Sequence, residues 1–325
     1  MKTLARIATV CQGGRGQGSI EANRSHMLGL LERALLQKPD VVCLPEAFLK
    51  MGLSGVSPDR VVEPVPGPTI DAVAKLARKC GCYVICPLRT LRDGRHWNSA
   101  VIIGRSGEVV GQYDKLHPVT TSPDYTVFES GISPGADLPV FDLDFGRIGI
   151  QICFDAGFPE TWQALADRGV KAIFWPSAYD GGFRLQALAA LHQVHVITSV
   201  RTERSRIIDP CGRVQASTDR FAPIAVRDVN LDFEVCHYDF NCTVPQRLLD
   251  AYPGRVRIAS YSDDPCFLVE PMDAALTMER LRSEFGIEGF RQYHDRHREA
   301  YSAVLAGQTP PVQTARHGSR AMYAD

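Results

Sequence analysis

Cys153 closes the apolar run Ile148-Gly149-Ile150-Gln151-Ile152 and precedes Phe154-Asp155-Ala156-Gly157, a turn into a helix. In open α/β sheets, ligand sites lie at the carboxyl ends of strands. A thiol placed there meets backbone N–H groups and helix-end dipoles, which favour thiolate and oxyanion alike. Glu46 follows a short apolar run that ends at Leu44-Pro45. A carboxylate beside a buried strand is either paired or raised in pKa, and a raised one is a general base. Lys115 follows a strand in Gly111-Gln112-Tyr113-Asp114-Lys115-Leu116-His117. Each residue alone also has a plain structural reading: a buried cysteine, a turn glutamate, a solvated lysine. All three stand at strand ends, in the order Glu, Lys, Cys, at intervals of 69 and 38 residues.

The elements that must position them alternate between strand and helix. Strands are expected over 5–11, 40–44, 82–88, 147–152, 171–175 and 194–200. Helical spacing of apolar residues covers 20–37, 69–78 (Thr69 as cap, Gly81 at the C-terminal end), 160–168 and 183–193. Hairpins are expected around Arg105-Ser106-Gly107 and Asp209-Pro210-Cys211-Gly212. The stretch 115–139 holds four prolines and two glycines and reads as a long loop, which is uncommon unless functional. This alternation implies an α/β fold with added antiparallel strands.

Composition narrows the class. The 325 residues carry 36 basic and 37 acidic side chains, so the basic excess of a nucleic-acid binder is absent. At 45% hydrophobic and 22% charged, the chain is an ordinary globular mixture. Its length lets it bury roughly 75% of its unfolded surface without a disulfide or metal staple. Ten cysteines, mostly within apolar runs, read as buried thiols in a reducing, cytoplasmic setting. No apolar run approaches the ~18 residues of a membrane span, and the first ten residues read as a strand rather than a signal segment.

The strand-end residues sit in stretches that carry a family resemblance. These are Leu44-Pro45-Glu46, Trp97-Asn98-Ser99-Ala100, Tyr113-Asp114-Lys115-Leu116-His117 and Ser133-Pro134-Gly135. Gly149-Ile150-Gln151-Ile152-Cys153-Phe154-Asp155, Phe158-Pro159-Glu160 and Ile207-Ile208-Asp209-Pro210-Cys211-Gly212-Arg213-Val214 follow. Over roughly residues 3 to 260, the chain resembles the carbon–nitrogen hydrolases of the nitrilase superfamily. The resemblance implies a four-layer α-β-β-α sandwich that pairs into homodimers, and a Glu46–Lys115–Cys153 triad. Glu46 is then the general base. Lys115 and the backbone N–H of Phe154 stabilise the developing anion, and a thioester forms on Cys153.

A second family glutamate lies between the lysine and the cysteine. Here the loop offers Glu129, 24 residues before Cys153 and displaced by about one position, or Asp124 for that place. Two departures matter. The segment Ala189-Ala190-Leu191-His192-Gln193 stands where members often carry Arg-Ala-x-Glu-Asn, which puts the supporting contacts of that Glu and Asn in doubt. Phe154-Asp155 stands where true nitrilases usually show Trp-Glu, which favours an amide or N-carbamoyl substrate over a nitrile. Nitrile hydrolysis, acyl transfer to a non-water acceptor and a catalytically silent scaffold are the alternatives on the same fold.

Other motifs are weaker. Gly131-Ile132-Ser133-Pro134-Gly135 matches G-x-S-x-G but lacks the strand and helix that motif requires. The glycine-rich stretch 13–18 fails dinucleotide-site spacing and reads as a loop near the site rim. Cys80, Cys82 and Cys86, and the pairs His192/His195 and His294/His297, lack metal-site spacing, so neither metal nor cofactor is expected. Pocket walls are expected from 48–55, 119–129 and 177–183, with Tyr125, Phe128, Phe154, Ser177 and Tyr179 as substrate contacts. Two regions are expected: a catalytic domain over 1–260, and an extension over 261–325 with a helix at 273–285 and a polar last segment, packing on the domain or a dimer seam. The expected partners are a small amide or carbamoyl substrate and a second copy of the chain, with no nucleic acid and no membrane.

Overall fold

The computed structural model describes residues 4–260 and 266–312. The chain divides into two compact units, one over Ala5–Val229 and one that begins at Asn230.

The first unit holds two sheets. One contains β1 (Leu4–Val10), β2 (Val41–Cys43), β3 (Val62–Glu63), β4 (Tyr83–Arg92), β5 (Arg95–Ile103) and β6 (Val109–Asp114). The other contains β7 (Phe141–Leu143), β8 (Gly146–Ile150), β9 (Ala172–Ser177), β10 (His195–Val200), β11 (Arg206–Ile208) and β12 (Val214–Ser217). A last strand, β13 (Ile224–Asn230), returns to the first sheet, whose order is β13-β1-β2-β4-β5-β6, with β3 pairing β4. The second sheet runs β12-β11-β10-β9-β8-β7. Its centre, β8-β9-β10, is parallel and almost wholly buried. Strands covered on both faces read as continuous apolar runs.

Each sheet carries its own helices. Met27, Leu30 and Leu31 of α1 (Ile20–Leu35) and Ile70, Val73 and Ala77 of α2 (Pro68–Cys80) share a core with Val42, Val84 and Val101. Trp162 and Leu165 of α3 (Pro159–Asp167) and Leu185 and Leu188 of α4 (Arg184–His192) share one with Ile173 and Val196. The inner sheet faces touch each other. Thr9 Oγ1 donates to the Thr198 carbonyl at 2.5 Å, and Ser199 Oγ lies 2.8 Å from the Val10 carbonyl and 3.0 Å from that of Cys43. The result is the expected α-β-β-α sandwich.

Local chemistry explains most boundaries, and it corrects some expectations. Ser19 caps α1 by accepting the Ala22 N–H at 3.0 Å. Thr69 does not cap α2. Gly67 is the cap residue, Pro68 takes the first turn, and the carboxylate of Glu63 accepts from both the N–H and the hydroxyl of Thr69. The β4–β5 hairpin extends further than the apolar pattern suggested. It turns on Asp93-Gly94, both at positive φ, the requirement of a two-residue hairpin.

The second unit has its own core. The strands β14 (Glu234–His237), β15 (Val256–Ser260) and β16 (Cys266–Pro271) form an antiparallel sheet ordered β14-β16-β15. With α5 (Val244–Ala251), α6 (Met278–Phe285) and α7 (Phe290–Leu305) they bury Leu248, Phe267, Val269, Leu281 and Phe285. The division therefore falls between Val229 and Asn230, not at 260. The physical reason is strand pairing: β14 and β15 both hydrogen-bond to β16, which lies beyond 260. The expected helix at 273–285 is shorter, starting after the cap Thr277, and α5 and α7 were not anticipated. Within the expected extension, 261–265 and 313–325 lie outside the described residues. None of the described helices is long and apolar enough to cross a membrane.

Candidate active site

Three strand ends and one loop of the first unit meet at a cavity of about 280 Å³. Glu46 follows β2, Lys115 follows β6, Cys153 follows β8, and Glu129 comes from the long loop after Lys115. All four side chains line the cavity.

Lys115 is the hub. Its side chain is 1% exposed, and its Nζ donates to Glu46 Oε1 at 3.1 Å and to Glu129 Oε1 at 2.5 Å. Asn98 Nδ2 links the same two carboxylates, donating to Glu46 Oε1 at 2.8 Å and Glu129 Oε2 at 3.0 Å. Both donors reach Glu46 through Oε1, while Oε2 accepts no hydrogen bond and faces Arg201 Nη2 at 3.7 Å. The loop of Glu129 is tied down as well. Its N–H donates to the Val119 carbonyl at 2.8 Å, and Arg89 Nη2 donates to its carbonyl at 3.0 Å.

Cys153 sits at φ +49°, in the left-handed region that a non-glycine residue rarely adopts. Such strain persists where surrounding structure over-determines it. Here Trp175 Nε1 donates to the Cys153 carbonyl at 3.0 Å, and Trp162 Nε1 to the Asp155 carbonyl at 3.1 Å. Asp155, fully buried, accepts from the Ile152 N–H at 2.7 Å, the Tyr113 hydroxyl at 2.7 Å and the His117 N–H at 3.0 Å. One carboxylate thus fastens the cysteine loop to the lysine loop.

Two glycines permit the close approaches. A Cβ at Gly135 would stand 2.3 Å from the Asp114 carbonyl oxygen, and the Gly135 N–H donates to the Lys115 carbonyl at 2.8 Å. The G-x-S-x-G match therefore braces the strand end that bears Lys115. A Cβ at Gly16 would stand 2.1 Å from the Met51 carbonyl oxygen, so the glycine-rich loop packs against the segment after Glu46. That loop also donates from Gly14 to the Arg201 carbonyl at 2.8 Å.

The electrostatics define resting protonation states. Burial pushes Glu46 upward, but Lys115, Arg201 and the Asn98 hydrogen bond outweigh it and hold the carboxyl below its usual range. Glu46 is paired and ionised, not raised. Burial pulls Lys115 down, yet Glu46, Cys153 and Glu129 together raise it above the usual lysine range. The Cys153 thiol is pushed up to about 11, by burial first and Glu46 second, against the pull of Lys115 and hydrogen bonds from Ser177 and Ala178. At neutral pH the sulfur is therefore a thiol, contrary to the expectation from strand-end dipoles.

The aromatic wall expected from the sequence is not what encloses the cavity. Tyr125 is 70% exposed, Phe128 is half-buried in an antiparallel bridge with Thr120, Phe154 stacks edge-on with Phe158, and Tyr179 does so with Trp175. None of the four lines it; Ser177 touches Cys153 from the buried side. Asp124 is exposed and engaged with Thr126, so Glu129 is the loop carboxylate at the cavity. Residues Ala189 to Gln193 end α4 and do not reach it. The walls include Lys50, Arg89, Asn98 and Arg201 instead. Arg89 interrupts the apolar run Ile85-Cys86-Pro87-Leu88, a signal that a charge is carried into the interior.

The remaining motifs are structural. Cys82 and Cys86 belong to the core between α2 and the first sheet, and burial raises both thiols. His192 is buried with its Nδ1 3.2 Å from Gln163 Oε1. His294 and His297 lie on α7 with Nδ1 atoms against carbonyls one turn back. Among the described residues, no group of three or more His, Cys, Asp or Glu stands together to hold a metal ion.

The carbon-nitrogen hydrolase family model matches residues 7–234. The bovine omega-amidase NIT2 is 28% identical over 230 residues, covering 64% of this chain and 83% of its own. The human omega-amidase NIT2 is 26% identical over 230 residues, covering 64% and 83%. In fold, the chain is similar to Saccharomyces cerevisiae Nit3, a nitrilase-superfamily member, with TM-score 0.59, 21% identity and coverage of 78% of this chain and 95% of that one. It is also similar to an amidase from Nesterenkonia sp., with TM-score 0.58, 20% identity and coverage of 71% and 93%. The match spans nearly all of the first unit and contains Glu46, Lys115, Glu129 and Cys153, and with it the chain belongs to the carbon–nitrogen hydrolases of the nitrilase superfamily, enzymes that act on carbon–nitrogen bonds other than peptide bonds.

Proposed function

We propose that the chain is a thiol amidohydrolase that cleaves an amide or N-carbamoyl C–N bond through a thioester on Cys153. The observation that carries this reading is Lys115 Nζ held between Glu46 and Glu129 in the cavity that Cys153 lines. The omega-amidase relatives and the Phe154-Asp155 pair favour amide-type substrates over nitriles.

A buried thiol with a pKa of about 11 is a poor nucleophile until a base takes its proton. Glu46 Oε2, ionised and free of hydrogen bonds, is the accepting atom. As the S–C bond forms, the carbonyl π electrons move onto oxygen. The protonated Lys115 and the Phe154 N–H stabilise that charge. Glu46 returns the proton to the departing nitrogen, the C–N bond breaks, and ammonia or an amine leaves. Water then gives a proton to Glu46 and attacks the thioester. The C–S bond breaks, the acid leaves, and the thiol recovers its proton. Glu129 and Asn98 are positioning residues: they hold Lys115 and Glu46 in place.

The test is an ammonia-release screen across aliphatic amides, ω-amides, N-carbamoyl compounds and nitriles, run beside the Cys153→Ala variant. Release that depends on Cys153 and favours amides or carbamoyl compounds is expected. Full turnover by the variant would overturn the assignment.

Two further proposals follow from the family resemblance. One is a homodimer, supported by the exposed Phe183 and Leu191 beside an apolar hollow lined by Ala156, Ala187 and Leu188. Sedimentation should show a dimer that Leu191→Glu weakens; a monomeric wild type at micromolar concentration would end this proposal. The other is a reducing cytoplasmic setting, which the ten free cysteines support.

A further inference from the structure

The helices of the second unit are attached in two different ways. α5 and α6 pack Val244, Leu248, Met278, Leu281 and Phe285 into the apolar core. None of the described side chains of α7 is buried, and none belongs to that core. Its side chains meet a polar cluster instead, centred on His237, the last residue of β14, which is 3% exposed. Tyr293 of α7 stacks on the His237 ring at 3.8 Å and gives its hydroxyl to the carboxylate of Asp239. Arg296 of α7 donates from Nε and Nη2 to Glu288 at 2.8 and 3.0 Å. His237 Nε2 lies 3.2 Å from Oε2 of the same carboxylate. Asn241 closes the cluster, its Nδ2 donating to the His237 and Glu288 carbonyls at 2.9 Å each.

An ionised carboxylate only accepts, so the neutral ring donates to Glu288 from Nε2 and leaves Nδ1 bare. That Nδ1 is buried and has no hydrogen-bond partner. Protonation puts a hydrogen on it, which makes a charged donor without an acceptor in a site closed to water, the costlier state. The charged groups facing the ring are Glu288, Asp239 and Arg296, and Cys266 is its partner across the β14–β16 ladder. Burial, the largest effect, holds the ring below its ordinary 6.5; Glu288 and Asp239 pull the other way, and Arg296 adds to burial. Burial also pushes Glu288 up, but Arg296 and His237 outweigh it and keep that carboxyl below its usual range.

We propose that His237 is a pH-sensitive latch: protonation of its ring on acidification frees α7 from β14, while α5 and α6 stay packed. The released helix and the unfolded chain take up the proton more readily than the latched ring does. The hold on α7 is therefore complete above 6.5 and is lost as the pH falls below it. His294 and His297 titrate on the same helix, but their Nδ1 atoms lie against the Phe290 and Tyr293 carbonyls of α7 itself, so they do not tie it to the sheet.

The experiment is amide hydrogen exchange on the full chain, corrected for the intrinsic effect of pH. From about pH 7.5 to about pH 5.5, opening of α7 should rise several-fold, with roughly 10-fold as the ceiling one unit below 6.5. Amides of α5 and α6 should change less than about twofold, as separate cooperative segments do. His237→Gln cannot titrate and should flatten the α7 response, whereas the double variant His294→Gln, His297→Gln should keep it. A flat response in the wild-type chain, a response that survives His237→Gln or is lost in the double variant, or equal opening of α5 and α6 overturns the proposal. If His237→Gln does not fold, NMR titration of the His237 ring in the wild-type chain decides. Protonation below 6.5 in step with α7 opening supports the latch, and any other result overturns it.

Discussion

Asp155 Oδ2 accepts the Tyr113 hydroxyl at 2.7 Å, joining the strand end that bears Lys115 to the turn that bears Cys153. The same carboxylate holds the Ile152 and His117 N–H groups. Asp155→Ala leaves these buried donors without an acceptor. Each costs about 1–3 kcal/mol, so a loss of at least ~3 kcal/mol is expected. Denaturant unfolding measures it, and a loss below ~1 kcal/mol would mean that water replaces the carboxylate.

Cys153→Ala removes the nucleophile from a site already buried and braced by Trp175. Amide turnover should fall at least about 10⁴-fold, while the unfolding midpoint stays close to wild type. Acid quenching of wild type during turnover should reveal a protein mass increased by the acyl group, absent from the variant.

Glu46 shapes the thiol in opposite ways at rest and in catalysis. Its carboxylate is the second cause, after burial, of the thiol pKa of about 11. Glu46→Gln should therefore move the Cys153 titration downward while turnover collapses. Thiolate absorbance, taken as a difference against the matching Cys153→Ala protein, reads the shift; an unchanged or higher value would contradict it. The sign for stability follows from the same group. Between 9.0 and about 11 the unfolded thiol loses its proton while the folded one keeps it. The contribution of Cys153 to stability is thus present below 9.0 and lost as pH rises to about 11.

Glu129→Gln keeps the shape but removes the charge that Lys115 meets at 2.5 Å. With Lys115 less firmly placed, kcat should fall about 10²-fold and KM should change little. An equal rise in KM with unchanged kcat would instead make Glu129 a substrate contact.

Much of the fold was legible because its signals are local. The buried strands 40–44, 147–152 and 171–175 appear as apolar runs, and α1 shows helical spacing closed off by Ser19 and the turn after Leu35. The Asp93-Gly94 turn was equally local but hidden by the polar Arg92-Asp93-Gly94-Arg95 run around it. The unit boundary was not local. It depends on β14 and β15 finding β16, and pairing of separated strands leaves no mark at residue 230.

The site divides in the same way. Residue type and strand-end position, with the motifs around them, single out Glu46, Lys115 and Cys153 in the sequence alone, because a strand end is a feature of its own few residues. Only the tertiary structure decides what surrounds them. Asn98 between two glutamates, Asp155 between two loops, and Lys50, Arg89 and Arg201 around the same cavity come from separate strands and loops. Protonation was decided there too. Dipoles at a strand end argue for a thiolate, but burial and a neighbouring carboxylate, set by packing, leave a thiol. Desolvation and charge act through space, and the chain does not record which of its charges will share a cavity until it folds.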